Sequence, residues 1–539
     1  MKESFLNQIS KNLTHYPYTS ERRVIMGTQA AVATSQPLAA LAGFEMLRSG
    51  GNAIDAALAM AIALTVVEPT SNGIGSDAFA LVWDGALHGL NASGKSPQSL
   101  TLEPYAGLAA MPSLGWSTVT VPGAVSAWQT LSKRWGKLPF DRLFEPAIRY
   151  AESGFPVSPE TARAWKRAER VYLPLTGAEF QPFQQVFFPN GRAPNAGEIW
   201  GSPLHAKTLK SIAHSHGESF YRGELAEAIA HFAAQTNGLF TLEDLAAHQA
   251  DWVDPISTDY RGVTVWEIPP NGQGIATLMA LNILEGFDLS RYPRESIESF
   301  HLQIEAMKLG FVDAHQHVAD SRFMAVEIPH LLSKSYAAER RHLIGDEALA
   351  IAPAGLPRGG TVYLAASDGD LMVSFIQSNF MGFGSGVLIP ETGIALQNRA
   401  TGFSLEAGHP NHIGAGKRPF HTIIPGFLSQ EGRAIGPFGV MGGPMQPQGH
   451  LQMVVNLVDY GMNPQAALDA PRWQWMEGNR VLLEHTVPQD VAVGLSDRHH
   501  KIQLSAEPSA FGRGQIILRQ NGVFVAASEP RADGIALAY

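Results

Sequence analysis

The sequence has no cysteine in 539 residues. Disulfides, thiolate metal sites and a cysteine nucleophile are therefore excluded, although this does not fix the redox compartment. Charge is sparse as well: 16% of residues are charged, and the formal net charge is −10. The positive residues are scattered, which argues against nucleic acid or an anionic membrane as partner. The longest apolar run, Ala56 to Val67, is too short for a membrane helix of roughly 20 residues. The N-terminal stretch MKESFLNQISKNLTHYPYTSERR lacks the apolar centre of a secretory signal. These absences predict a soluble, cytoplasmic protein. A G-x-S-x-G elbow is also missing, and Gly272-Gln273-Gly274 lacks the third glycine of a dinucleotide fingerprint.

What remains is a globular composition, 45% hydrophobic, with 53 Gly and 35 Pro, as in an enzyme with many tight turns. The length predicts several domains or one large one. Leu41 to Leu47 and Ala53 to Val66 read as helices separated by Gly50-Gly51-Asn52. Phe79 to Trp83 and Leu87 to Leu90 flank Asp84-Gly85 and read as a hairpin. A strand from Val263 to Ile268 precedes a helix from Ile275 to Leu284. The stretch IAPAGLPRGG, ending at Gly360, is loop-like. Two strands follow it at once, joined at Asp368-Gly369. A helix is expected through LQMVVNLVDYG.

The junction Gly359-Gly360-Thr361 is chemically suggestive. A threonine hydroxyl is a weak nucleophile until a base sits beside it. The residue's own α-amine, with a pKa of roughly 8, is such a base, but only if the chain is cut before it. Glycines permit the backbone strain that such a cut needs. The plain alternative is an ordinary first residue of a strand. Met441-Gly442-Gly443-Pro444 could likewise be an oxyanion-binding turn or merely a structural one. His315 and His317 lie in a helical pattern, where residues two apart face different ways. Solvated or core histidines are favoured over metal ligands there.

Many collinear blocks settle these alternatives by resemblance. They include GGNAIDAALA, EPTSNGIGSDAF, TVPGAVSAW, LFEPAIRYAESGFPVS, PPNGQGIATLMALNILEGFDL, TGIALQN, GKRPFHTIIP, GGPMQPQGHLQMVVN and SEPRADG. Through them nearly the whole chain resembles the γ-glutamyltranspeptidase family of N-terminal-nucleophile hydrolases. The resemblance implies an α+β fold, an αββα four-layer sandwich. It implies a precursor that cuts itself between Gly360 and Thr361 into a large subunit, 1–360, and a small one, 361–539. The two would stay together as one unit, with pairing of two such heterodimers left open. Thr361 would be nucleophile and, through its new amine, base. Gly442 and Gly443 match the family's oxyanion glycines, and Asn379 matches an asparagine that helps hold the site. The hydroxyl that steadies the nucleophile falls at Gln377, or at Ser378 if the alignment slips by one. Neither metal nor cofactor is implied.

The departures from the family pattern concern substrate. Members that act on glutathione grip the glutamyl head group with an Arg, an Asp, a pair of serines and a Gln. Those positions fall here at Ser93, Gly402, His421 and Thr422, and Arg399. Losing the bidentate Arg and the Asp removes both anchors for a zwitterion. Arg399 and His421 keep positive character without an ammonium partner. The segment Phe403 to Lys417 is short, as in members without a long lid. An open site favours hydrolysis over transfer. The expectation is an amidohydrolase for a small carboxylate-bearing acyl group without an α-amine. Oxamate, giving oxalate and ammonia, fits best. A γ-glutamyl hydrolase or transferase and a cephalosporin (glutaryl) acylase are the alternatives.

Overall fold

The strand that begins at the Gly-Gly-Thr junction lies at the centre of the molecule. The computed structural model describes residues 18, 22–350, 360–369 and 371–539. In it Gly360–Asp368 pairs antiparallel with Leu371–Phe380 on one side and Ala30–Thr34 on the other. The expected hairpin turn is present, with Gly369 in the left-handed region at φ 45°. The loop-like stretch before Gly360 lies outside the described residues.

Two seven-stranded sheets form the middle layers. The first runs Ile535–Ala538, Ala30–Thr34, Gly360–Asp368, Leu371–Phe380, Asp77–Trp83, Leu87–Asn91 and Asp251–Val253. The second runs Ile25–Gly27, Val523–Ser528, Arg513–Gln520, Arg433–Met441, Gly426–Gln430, Val263–Glu267 and Ile256–Tyr260. Strand alternation sorts the central residues between two cores. Val362, Leu364 and Ala366 face outward into a helix-covered core, whereas Tyr363 and Ala365 pack between the sheets against Phe79, Ile376, Phe427 and Ile517. Both faces are covered, so the strand is apolar on both.

Helices Pro37–Arg48 and Ala53–Val67 cover the first sheet. Every residue of Ala53–Val67 is buried. Its alanines allow close approach: a side-chain carbon on Gly43 would lie 2.6 Å from Met60. Asn52 and Asp55 form a capping box at its start, worth about 1 kcal/mol. Gly274–Leu284 and Met445–Val458 cover the second sheet, and Ile297–His317 packs on those two helices. The expected αββα sandwich is therefore the observed fold. Residues from before and after position 360 share all three of its large cores.

Candidate active site

Thr361 is 1% exposed, at the start of the central strand. The strand register is irregular between Gly360 and Val362. The Thr361 hydroxyl donates to Ser378 Oγ at 3.1 Å. Ser378 donates to the Gly360 carbonyl oxygen at 2.6 Å and accepts the Phe380 N–H at 2.8 Å. One donor and two lone pairs are thereby used up, so this hydroxyl is fixed in direction. Ser378 thus joins the oxygen of Thr361 to the carbonyl that precedes it. Attack on Gly360 by that oxygen would build negative charge where Ser378 already donates.

Of the two positions left open for the steadying hydroxyl, Ser378 is the one that touches Thr361. Gln377 points away: its amide donates to Asn72 Oδ1 at 2.7 Å and accepts the Trp128 indole N–H at 2.9 Å. Phe380, which pairs with Gly360, is held at φ 77°, a costly conformation for a bulky residue.

Gly442 (φ 138°) and Gly443 (φ 60°) turn the chain from strand Arg433–Met441 into helix Met445–Val458. The Gly442 and Gly443 carbonyls accept the Met445 and Gln446 N–H groups at 3.2 and 3.0 Å. Peptide planarity then points the Gly443 N–H away from the helix start. Gln273 secures this turn by donating to the Gly443 carbonyl at 3.0 Å. Gln446 donates from Nε2 to Thr361 Oγ at 3.4 Å. Sequence reasoning passed over both glutamines, because an amide side chain carries no spacing signature. Asn379 does not reach Thr361 by any recorded hydrogen bond. It accepts from Ser76 Oγ at 2.7 Å and donates to the Phe383 carbonyl at 3.0 Å, which supports the loop around the site.

Arg399 is 1% exposed and donates to Thr422 Oγ at 2.7 Å, with its guanidinium 4.8 Å from the Phe380 ring centroid. Its Nε and Nη2 have no hydrogen-bond partner among the described residues. Burial pulls its pKa down to about 9, against the attraction of Asp77. A buried cation so placed is under-compensated and suited to an anion.

His421 departs from expectation. Burial, with Arg399 and Arg418 nearby, holds its pKa far below the ordinary range, so it adds no positive charge. It lies 3.1 Å from Asp77, whose carboxyl burial raises to about 7. Ser93 is turned to Asn91 and Asn271, at 2.7 and 3.2 Å, rather than to Arg399. Gly402 has no space for a side chain: a Cβ there would lie 2.5 Å from the Phe420 carbonyl oxygen.

A cleft of about 470 Å³ opens beside Gly360, Gly442 and Pro444. Leu114, Ala164, Ala168, Val171 and Met381 give it an apolar wall, with Arg167, Arg513 and Glu507 also lining it. His315 is half-buried and stacked between Phe311 and Phe420. Among the described residues, His301, Glu305 and His500 alone have metal-ligand spacing. The Lys308 ammonium already neutralises Glu305 at 2.7 Å, and His301 Nε2 bonds the Gly345 carbonyl. His500 Nε2 in turn meets His301 Nδ1 at 2.9 Å, so the group is a buried polar network already carrying a cation of its own, Lys308.

Comparison with known proteins matches residues 39–539 to the sequence profile described as gamma-glutamyltranspeptidase. The chain is 36% identical to a glutathione hydrolase-like proenzyme of Bacillus subtilis, over 95% of this chain and 99% of that one. It is 33% identical to an oxamate amidohydrolase proenzyme of Klebsiella pneumoniae, over 95% and 99%. The crystal structure of a cephalosporin acylase from Bacillus halodurans superimposes with a TM-score of 0.93 at 55% identity, over 98% of each chain. Among the described residues, no helix is long and apolar enough to cross a membrane.

Proposed function

The chain belongs to the γ-glutamyltranspeptidase family, and from that premise we propose that it is an autoprocessing N-terminal-threonine amidohydrolase. Its substrates are amides whose acyl group carries a carboxylate and no α-amine. Cleavage between Gly360 and Thr361 gives subunits 1–360 and 361–539 and frees the Thr361 amine. The Thr361 oxygen attacks the substrate carbonyl while the amine takes its proton and passes it to the leaving nitrogen. N–H groups at Gly442 and Gly443 receive the oxyanion. Water then hydrolyses the acyl ester.

The observation that carries the substrate class is Arg399, buried with two nitrogens unpartnered. An acyl carboxylate would supply the missing acceptor. The Asp that would hold an α-ammonium has no equivalent, because Gly402 abuts the Phe420 backbone.

Oxamate is the smallest amide that fits, and the Klebsiella relative is named for it. A second reading rests on the cleft. Ammonia needs no apolar leaving-group space, whereas a larger amine does, and the neighbour at 55% identity is named a cephalosporin acylase. This favours a glutaryl-type acyl group on a larger amine.

The test is a panel: ammonia from oxamate, and p-nitroaniline from glutaryl- and γ-glutamyl-p-nitroanilide. Oxamate or the glutaryl amide should be turned over. The γ-glutamyl amide should be about 10²-fold slower or worse, since each lost charged contact costs about 1.5–3 kcal/mol. Equal rates on the γ-glutamyl and glutaryl amides would overturn the class.

A further inference from the structure

We propose that Gln446 is a catalytic residue that stabilises the Thr361 oxygen as a leaving group when acyl esters on it are hydrolysed. The proposal rests on Thr361 as nucleophile. It does not depend on which amide is the substrate.

Gln446 is fully buried on the first turn of helix Met445–Val458, three residues after Gly443. Its side-chain oxygen accepts the Ile424 N–H at 2.9 Å. That bond fixes the amide orientation, so the other end must be the NH₂ group. The NH₂ group faces Thr361 Oγ at 3.4 Å. The Thr361 hydroxyl proton is directed to Ser378. The Gln446 N–H therefore meets a lone pair of the oxygen and does not compete for its proton.

The charge on that oxygen differs between steps. When Thr361 attacks, donation from Gln446 eases loss of the proton but makes the oxygen less nucleophilic, and the two effects oppose. When water attacks the ester, the C–Oγ bond breaks. Its electron pair goes to Oγ, the α-ammonium that took the water proton returns a proton to Oγ, and the free carboxylate leaves. Here donation to the developing alkoxide lowers the barrier outright. The same holds for the ester formed between Thr361 and Gly360 in self-cleavage. Gln446 should therefore act mainly on hydrolysis.

Two substitutions test this in the full chain. In Gln446→Met the donor is gone while length is kept. The expected result is an uncut chain holding an ester at position 361, which hydroxylamine splits under denaturing conditions to leave Gly360 as a hydroxamate. Release by water should slow about 10- to 100-fold, the worth of one hydrogen bond to a charged group. Mature Gln446→Met enzyme, given glutaryl-p-nitroanilide, should show a burst of p-nitroaniline, a lower kcat and an acylated small subunit by mass spectrometry. Wild-type rates of self-cleavage, with no ester to trap, would overturn the proposal. Should Gln446→Met not fold, Gln446→Glu places a negative charge against the leaving oxygen and must be slow in self-cleavage. A wild-type rate there overturns the proposal equally. Failure of the chosen amide as substrate would count against the substrate class, and a wild-type chain that never cuts itself would count against Thr361 as nucleophile, whereas the rate of self-cleavage in the variants relative to wild type reads Gln446.

Discussion

Arg399 and Ser378 carry separable burdens at the scale of single residues. Arg399 meets Thr422 and the Phe380 ring but makes no recorded hydrogen bond to Gly360 or Thr361. Arg399→Ala should raise KM for a carboxylate-bearing amide about 10- to 100-fold, by loss of one charge-assisted contact. Self-cleavage, followed on a denaturing gel, should persist; its loss would mean that Arg399 is structural. Ser378 touches both the Gly360 carbonyl and the Thr361 hydroxyl. Ser378→Ala should slow appearance of the two subunits by about 10²-fold, the usual effect of removing one oxyanion donor. The pH profile follows from the same small set of groups. The base is an amine that must be neutral, so kcat should rise with pH through roughly 7.7–8, the ordinary α-amino range. The guanidinium must be charged to hold an anion, and burial has lowered its pKa to about 9. KM should therefore rise as pH passes that value. A flat profile from pH 6 to 9 would count against the amine as base.

Elements set what the sequence could and could not disclose. Strand and helix positions were legible where composition was one-sided: the buried Ala53–Val67 helix and the Gly360–Asp368 and Leu371–Phe380 hairpin fall where the apolar runs and the Asp368-Gly369 turn place them. The roles proposed for Thr361, Gly442 and Gly443 come only through resemblance, since a Gly-Gly-Thr or a Gly-Gly-Pro is not specific by itself. The choice between Gln377 and Ser378 required the register, because one step along a strand reverses the face. The neutrality of His421 required its burial, which no one-dimensional pattern records. Gly402 and the cleft make the element-scale predictions. Gly402→Asp, which restores the residue type of glutathione-hydrolysing members, should lower the melting temperature rather than create γ-glutamyl activity, because its Cβ meets the Phe420 carbonyl. Helix Pro159–Tyr172 lines the cleft with Ala164, Ala168 and Val171. Ala164→Trp should impair hydrolysis of bulky-amine substrates and spare oxamate. Equal losses on both would show that the cleft does not hold the leaving group.

The proposed cut falls at the centre of the whole molecule, and the fold would have to survive it. The proposed small subunit begins with the strand Gly360–Asp368 less its first residue. That strand is held by Leu371–Phe380 of its own subunit and by Ala30–Thr34 of the other. The far edge strand, Ile535–Ala538, also pairs with Ala30–Thr34. The large subunit's strand is thus enclosed on both sides by strands of the small one. Leu81 and Phe79 from before the cut pack with Tyr363, Ile376 and Ile517 from after it in the layer between the sheets. Each buried side chain of this kind contributes about 1.5–3 kcal/mol. Pulling the subunits apart would expose several at once and leave both sheets broken. The mature protein should therefore elute as one species in native buffer although it runs as two bands when denatured. Both chains should lose structure in a single transition, at a denaturant midpoint near that of uncut Thr361→Ala, because cleavage removes one backbone link and none of the shared core. Recovery of a folded small subunit free of the large one would contradict this interleaving.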